Sequence, residues 1–180
     1  METITIQIFK DDVYEEVAKA TEYTGAKLID DDEKARDRIL ATDSELADLS
    51  RFWEDSVLAT NERLKQMLIS GTTRQVTIAP VSPGGDAETE TDIKERSIPT
   101  RTAYVAELEV SKAFDKELTG SVQSALCNFF IASIIGQWFK FANKDEATDY
   151  FKQAGEWMDG AERLLYSRKK PTRPSKKQTK

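Results

Sequence analysis

The side chains that most often do chemistry are scarce in this chain. There is no histidine among its 180 residues. With histidine go the commonest general base, the usual Ser–His and Cys–His nucleophile pairs, and zinc sites of mixed His/Cys type. The single cysteine, Cys127, can form neither an internal disulfide nor a four-cysteine metal site. It stands beside Leu126 and Phe129, with no basic neighbour to lower its pKa, which is the setting of a buried structural thiol. The acidic run Asp30, Asp31, Asp32 and Glu33 has oxygens for a hard cation, yet adjacent carboxylates diverge on a helix. It also lacks the alternating spacing and glycine of a calcium loop. Ser82-Pro83-Gly84-Gly85-Asp86 has no lysine–serine pair and no following helix, so it reads as a turn and not a phosphate-binding loop. Gly120-Ser121 lacks the second glycine of a nucleophile elbow. The sequence therefore predicts no catalytic, cofactor-binding or metal-binding residue, and a chain that is not an enzyme.

What remains for function is charge. Arg168, Lys169, Lys170, Arg173, Lys176, Lys177 and Lys180 make the end of the chain basic, with no acid among them. The other 167 residues hold 19 basic and 32 acidic side chains, so a body of formal charge −13 carries an arm of +7. Such an arm suits either non-specific contact with DNA or docking on an acidic protein neighbour. A second charged stretch lies in mid-chain. Residues 81–99 are turn-rich and polar, with Asp86, Glu88, Glu90 and Asp92 in alternation and only Ile93 as a large apolar anchor. They read as a long mobile loop, a candidate for assembly contacts.

These segments need a scaffold, and 180 residues can bury roughly 70% of the unfolded chain's surface in one core. Thr3–Phe9 alternates Ile4, Ile6 and Ile8 with polar residues, a strand pattern. A helix follows from Asp11 or Asp12 to about Thr24, with Gly25 as its stop. Asp30–Glu33 opens a second helix, its carboxylates opposing the positive end of the helix dipole. The capping box Thr42-x-x-Glu45 starts a third. Leu46, Leu49, Trp53, Val57, Thr60, Leu64, Met67 and Leu68 carry it to about Ile69, where Gly71 ends it. Arg74–Ala79 and Thr102–Val110 form a hairpin with the acidic loop at its tip. A wide apolar stripe from Phe114 to Phe141 predicts the central helix, over about 115–142. A last helix, about 145–168, turns Ala147, Tyr150, Phe151, Ala154, Trp157, Met158, Ala161, Leu164 and Leu165 inward, and Pro171 and Pro174 stop it. Trp53, Trp138 and Trp157 sit one on each long helix and read as shared core packing.

The expected fold is α+β, mainly α: four to five helices with an N-terminal strand and a long-tipped β-hairpin. Residues 1–167 form one domain, with a hairpin insertion at about 74–110, and residues 168–180 form the arm. Met1–Phe9 lacks the layout of a signal peptide. The stretch 125–142 is broken by Asn128, Ser133, Gln137 and Lys140, which argues against a lone membrane span and for cytoplasmic synthesis.

Several segments resemble a family of small proteins encoded by Bacteroides-type tailed phages and prophages. They are Lys10 to Lys19, then Tyr23-Thr24-Gly25-Ala26-Lys27, Arg51-Phe52-Trp53, Gln137-Trp138-Phe139, and the ending Arg168-Lys169-Lys170-Pro171-Thr172-Arg173-Pro174. The likeness spans most of the chain outside residues 81–99 and involves no catalytic motif. It implies a virion structural protein similar to a head–tail connector, or neck adaptor: a homo-oligomeric ring, by analogy a dodecamer, between portal and tail proteins. Its location would be the neck of the virion, after assembly in the host cytoplasm. A DNA-contacting packaging or regulatory module using the basic arm is the alternative. Neither reading calls for a cofactor or a membrane.

Overall fold

The computed structural model describes residues 1–27, 46–78, 100–140 and 143–169, with side chains omitted for 23–27. The helix expected from Asp30, the capping box at Thr42, the assembly loop with Asp86, Glu88, Glu90 and Asp92, and the arm beyond Lys169 lie outside the described residues. In order, the elements are β1 (Glu2–Phe9), α1 (Lys10–Lys27), α2 (Leu46–Leu64), β2 (Leu68–Thr77), β3 (Thr100–Val110), a 3-10 turn (Lys116–Leu118), α3 (Thr119–Phe139) and α4 (Lys144–Leu165). The fold is α+β and mainly α, as the sequence patterns imply.

The strands make one antiparallel sheet in the order β1-β3-β2. The N-terminal strand thus pairs within its own chain, Ile4 opposite Leu108, Ile6 opposite Ala106 and Ile8 opposite Tyr104. The alternation read in β1 is real: Ile4, Ile6 and Ile8 are buried and Thr3 and Thr5 exposed. One face of the sheet receives α1, α2 and α3, and α4 packs against α3. α3 is accordingly the most apolar of the described helices, with Val122, Leu126, Phe130, Ile134 and Phe139 fully buried. By length and composition alone, Lys116–Phe139 could cross a bilayer; half of that stretch is buried here, as the core helix.

Several boundaries differ from the sequence reading, each because tertiary pairing overrides local pattern. The long helix stops at Leu64, not near Ile69. Met67 N–H turns back to the Leu64 carbonyl at 2.8 Å, and Leu68 pairs with Leu108. Gly71 therefore stands inside β2. α1 continues through Gly25 to Lys27, and α3 is shorter at both ends than 115–142. Asn143 caps α4, its side-chain oxygen accepting the Glu146 N–H at 3.4 Å.

Nor do the tryptophans share one core. Trp53 is fully buried, edge-on to Tyr14 at 6.3 Å and tilted against Phe130 at 4.8 Å. Trp138 is half-buried, and Trp157, expected inside, is 43% exposed. Phe151 and Leu46 are likewise exposed. Phe151 still has a packing role, since a Cβ at Gly136 would come within 3.0 Å of its ring.

Candidate functional site

Of the seven arm cations, Arg168 and Lys169 are described, and both are exposed. They are stitched to the body through their backbones. Arg168 forms an antiparallel bridge with Phe114, and Lys169 N–H donates to the Ala113 carbonyl at 2.9 Å. Phe114 is fully buried, so the bridge fixes where the arm departs. That point lies just beyond the Val110 end of β3. The acidic stretch is tethered between Thr77 and Thr100, at the opposite end of the same strand. An 11-residue strand puts roughly 33 Å between the two departure points. The sequence located both charged segments but not the distance between the points from which they leave, which depends on strand pairing.

Two arginines tie elements of the described body together through ion pairs. Arg63 makes a fork to Glu162 (two contacts of 2.9 Å) and reaches Asp159 at 2.6 Å, joining α2 to α4; these partners, Glu162 first, hold its pKa above the usual arginine value. Beside this pair is an open depression lined by Asp159, Glu162, Arg163 and Tyr166. Arg101 lies over the Phe9 ring at 4.6 Å and pairs with Asp12 and Asp11, fastening β3 to the start of α1. Lys10 donates to Ser50 Oγ at 3.1 Å and sits 5.4 Å from the Tyr14 ring and 5.8 Å from that of Trp53.

The Lys10–Tyr14–Ser50 group has the composition of a proton-transfer site without its access. Tyr14 Oη is buried and has no hydrogen-bond partner of normal geometry. Burial drives its phenol well above the ordinary range, with Ser50 alongside pulling the other way and Glu54 and Asp11 adding to the rise. Burial likewise raises the Cys127 thiol, helped by Asp12 and Glu16, so the thiolate is suppressed. Cys127 is half-buried, less covered than the buried thiol the sequence reading expects. Among the described residues, no group of three or more acidic or cysteine side chains could hold a metal ion.

The pairing shows which residues line the hydrogen-bonding edges of the sheet, an assignment the sequence does not give. Glu109 N–H points to the Met67 carbonyl at 2.7 Å, so the odd-numbered residues of β3 bond toward β2 and the even-numbered ones toward β1. With the observed register, Thr72, Arg74 and Val76 of β2 bond inward to β3. Gly71, Thr73, Gln75 and Thr77 then turn their backbone groups to the outer edge. Asn61 Nδ2 donates to the Gly71 carbonyl at 3.0 Å, which satisfies one of these outward groups from α2. On β1, the residues facing outward are Thr3, Thr5, Gln7 and Phe9.

No family model, curated protein or solved structure matches this chain.

Proposed function

We propose that this chain is a structural virion protein, a head–tail connector that forms a homo-oligomeric ring between portal and tail proteins. The observation supporting this reading is the placement of the two points from which its charged segments leave the sheet. A rigid sheet carries the stretch containing Asp86, Glu88, Glu90 and Asp92 at one end. The arm containing Lys170, Arg173, Lys176, Lys177 and Lys180 departs from the other. A subunit that meets different neighbours above and below is served by two contact segments that leave from well-separated points, and the two ends of β3 are such points. The polarity also makes contact complementary in one direction, because like-charged ends repel.

The reading assigns the chain no catalytic residue, cofactor or membrane. It predicts the chain in purified phage particles, in multiple copies at the neck. Mass spectrometry of particles, with image reconstruction of the neck, tests it. Its absence from particles, or single copies without symmetry, would overturn the proposal. A DNA-contacting role for the arm is the competing reading, and salt-dependent duplex binding separates the two.

A further inference from the structure

We infer that copies of this chain join through their sheets: the β2 edge of one copy pairs with the β1 edge of the next. The partner is a second copy of this chain, and the inference rests on the ring-forming reading above.

An edge strand offers a row of backbone donors and acceptors, and proteins that remain single copies blunt such edges with proline, inward charge or a covering element. β2 is ten residues long and has no proline. Its one charged residue, Arg74, leans 3.8 Å toward Glu107 on β3, along the sheet and not across the edge. No residue of β2 is buried, whereas Tyr104, Ala106 and Leu108 on the adjacent strand are wholly buried. Thr72, Arg74, Gln75 and Thr77 are exposed, so this side of the sheet is open. β1 has no proline either, and carries a single charge, Glu2, at its start. Among the described residues, no fourth strand covers either edge.

Strand direction selects the partner. β1 and β2 each run antiparallel to β3, so they are parallel to one another. A copy placed beside the first in the same orientation brings its β1 alongside β2 in parallel, with the helices of both copies on the same face of a continuous sheet. One repeated contact then satisfies both edges of every copy, and a closed ring leaves none exposed. Symmetric pairing does less. Two β2 strands centred on residue 74 oppose Arg74 to Arg74, and centred on residue 73 they draw on the Gly71 carbonyl that Asn61 already occupies. Any symmetric pairing also leaves the other edge of each copy open.

Proline at an outward-facing position removes a donor that the single chain does not use, so it blocks the contact while sparing the fold. Thr5→Pro disables the β1 edge and Gln75→Pro the β2 edge; Thr3→Pro and Thr77→Pro repeat the test nearer the strand ends, where proline disturbs least. Analytical ultracentrifugation of the full chain should give assemblies for the native sequence. Each variant alone should fall to the 20.3 kDa of one chain with unchanged circular dichroism. Mixing a β1-edge variant with a β2-edge variant should give a two-chain complex and nothing larger, the signature of a head-to-tail contact. A native chain that stays single at every concentration reached, or variants that assemble as the native chain does, overturns the inference. So does loss of assembly on Gln75→Pro with Thr5→Pro unaffected, which marks a symmetric β2 contact. None of these outcomes depends on whether the chain is found in phage particles, so the inference and the neck reading can fail separately.

Discussion

At the scale of single residues, the fold hangs on small polar fixtures between α2 and the sheet. Asn61 accepts the Tyr104 hydroxyl at 2.7 Å while its amide nitrogen donates to the Gly71 carbonyl at 3.0 Å. A Cβ at residue 71 would run into Asn61 Oδ1 and come within 3.0 Å of the Tyr104 hydroxyl. Gly71→Ala should therefore cost about 1–3 kcal/mol through overpacking, read as a lower urea midpoint with an unchanged slope. Asn61→Ala should cost a similar ~1–3 kcal/mol, because it leaves a buried phenol without its acceptor. The tyrosines also set the pH response. Burial raises the phenols of Tyr14, Tyr104 and Tyr150 above their ordinary value. Their stabilising contribution is thus complete below the unfolded-state value of about 10 and is lost as pH rises through the folded values. With no histidine to titrate, thermal stability should be level from about pH 6 to 8. It should decline first as the unfolded chain's Cys127 thiol ionises near about 8.5, and further above about 10 with the tyrosines. Phenolate absorbance of the native protein should show fewer than the full five tyrosines ionising at the ordinary value.

Among the elements, the helices differ in how firmly a tryptophan ties each to the core. Trp53 on α2 is wholly buried, and its Nε1 donates to Thr73 Oγ1 of β2 at 3.0 Å. Trp53→Ala should cost about 3–5 kcal/mol, and Trp157→Ala on the exposed side of α4 less than about 1 kcal/mol. Equal losses in thermal unfolding would mean that α4 is packed otherwise. The contrast shows what the sequence could convey. Alternating isoleucines in β1 are a local signal, and they were legible. Apolar periodicity on α4 put Trp157 and Phe151 inside because spacing reveals a stripe but not how far the neighbouring helix covers it. Met67 and Leu68 continue a helical stripe in sequence, yet pairing with β3 at Leu108 takes them into a turn and a strand. Pairing decides the edges as well. Which backbone groups of Thr73 and Gln75 face outward follows from a bond between Glu109 and Met67, residues with no local link in the sequence.

For the whole molecule, the question is what the basic arm touches. Because the backbones of Arg168 and Lys169 are bound to Phe114 and Ala113, a clean test cuts after Lys169, removing five cations and keeping the stitch. A body of formal charge −13 repels a duplex, and residues 170–180 contain no aromatic side chain to stack on bases. We propose that the arm meets an acidic protein neighbour and not DNA. On this account, truncation after Lys169 should block incorporation into particles, and should leave the weak duplex affinity of the free protein nearly unchanged. If DNA were the target, five neutralised phosphates would give a log–log salt slope near about −4.5, lost on truncation. Titration of labelled duplex with both forms across a salt series discriminates the cases. Tight binding that depends on the arm and falls with that slope would transfer it from the protein neighbour to DNA.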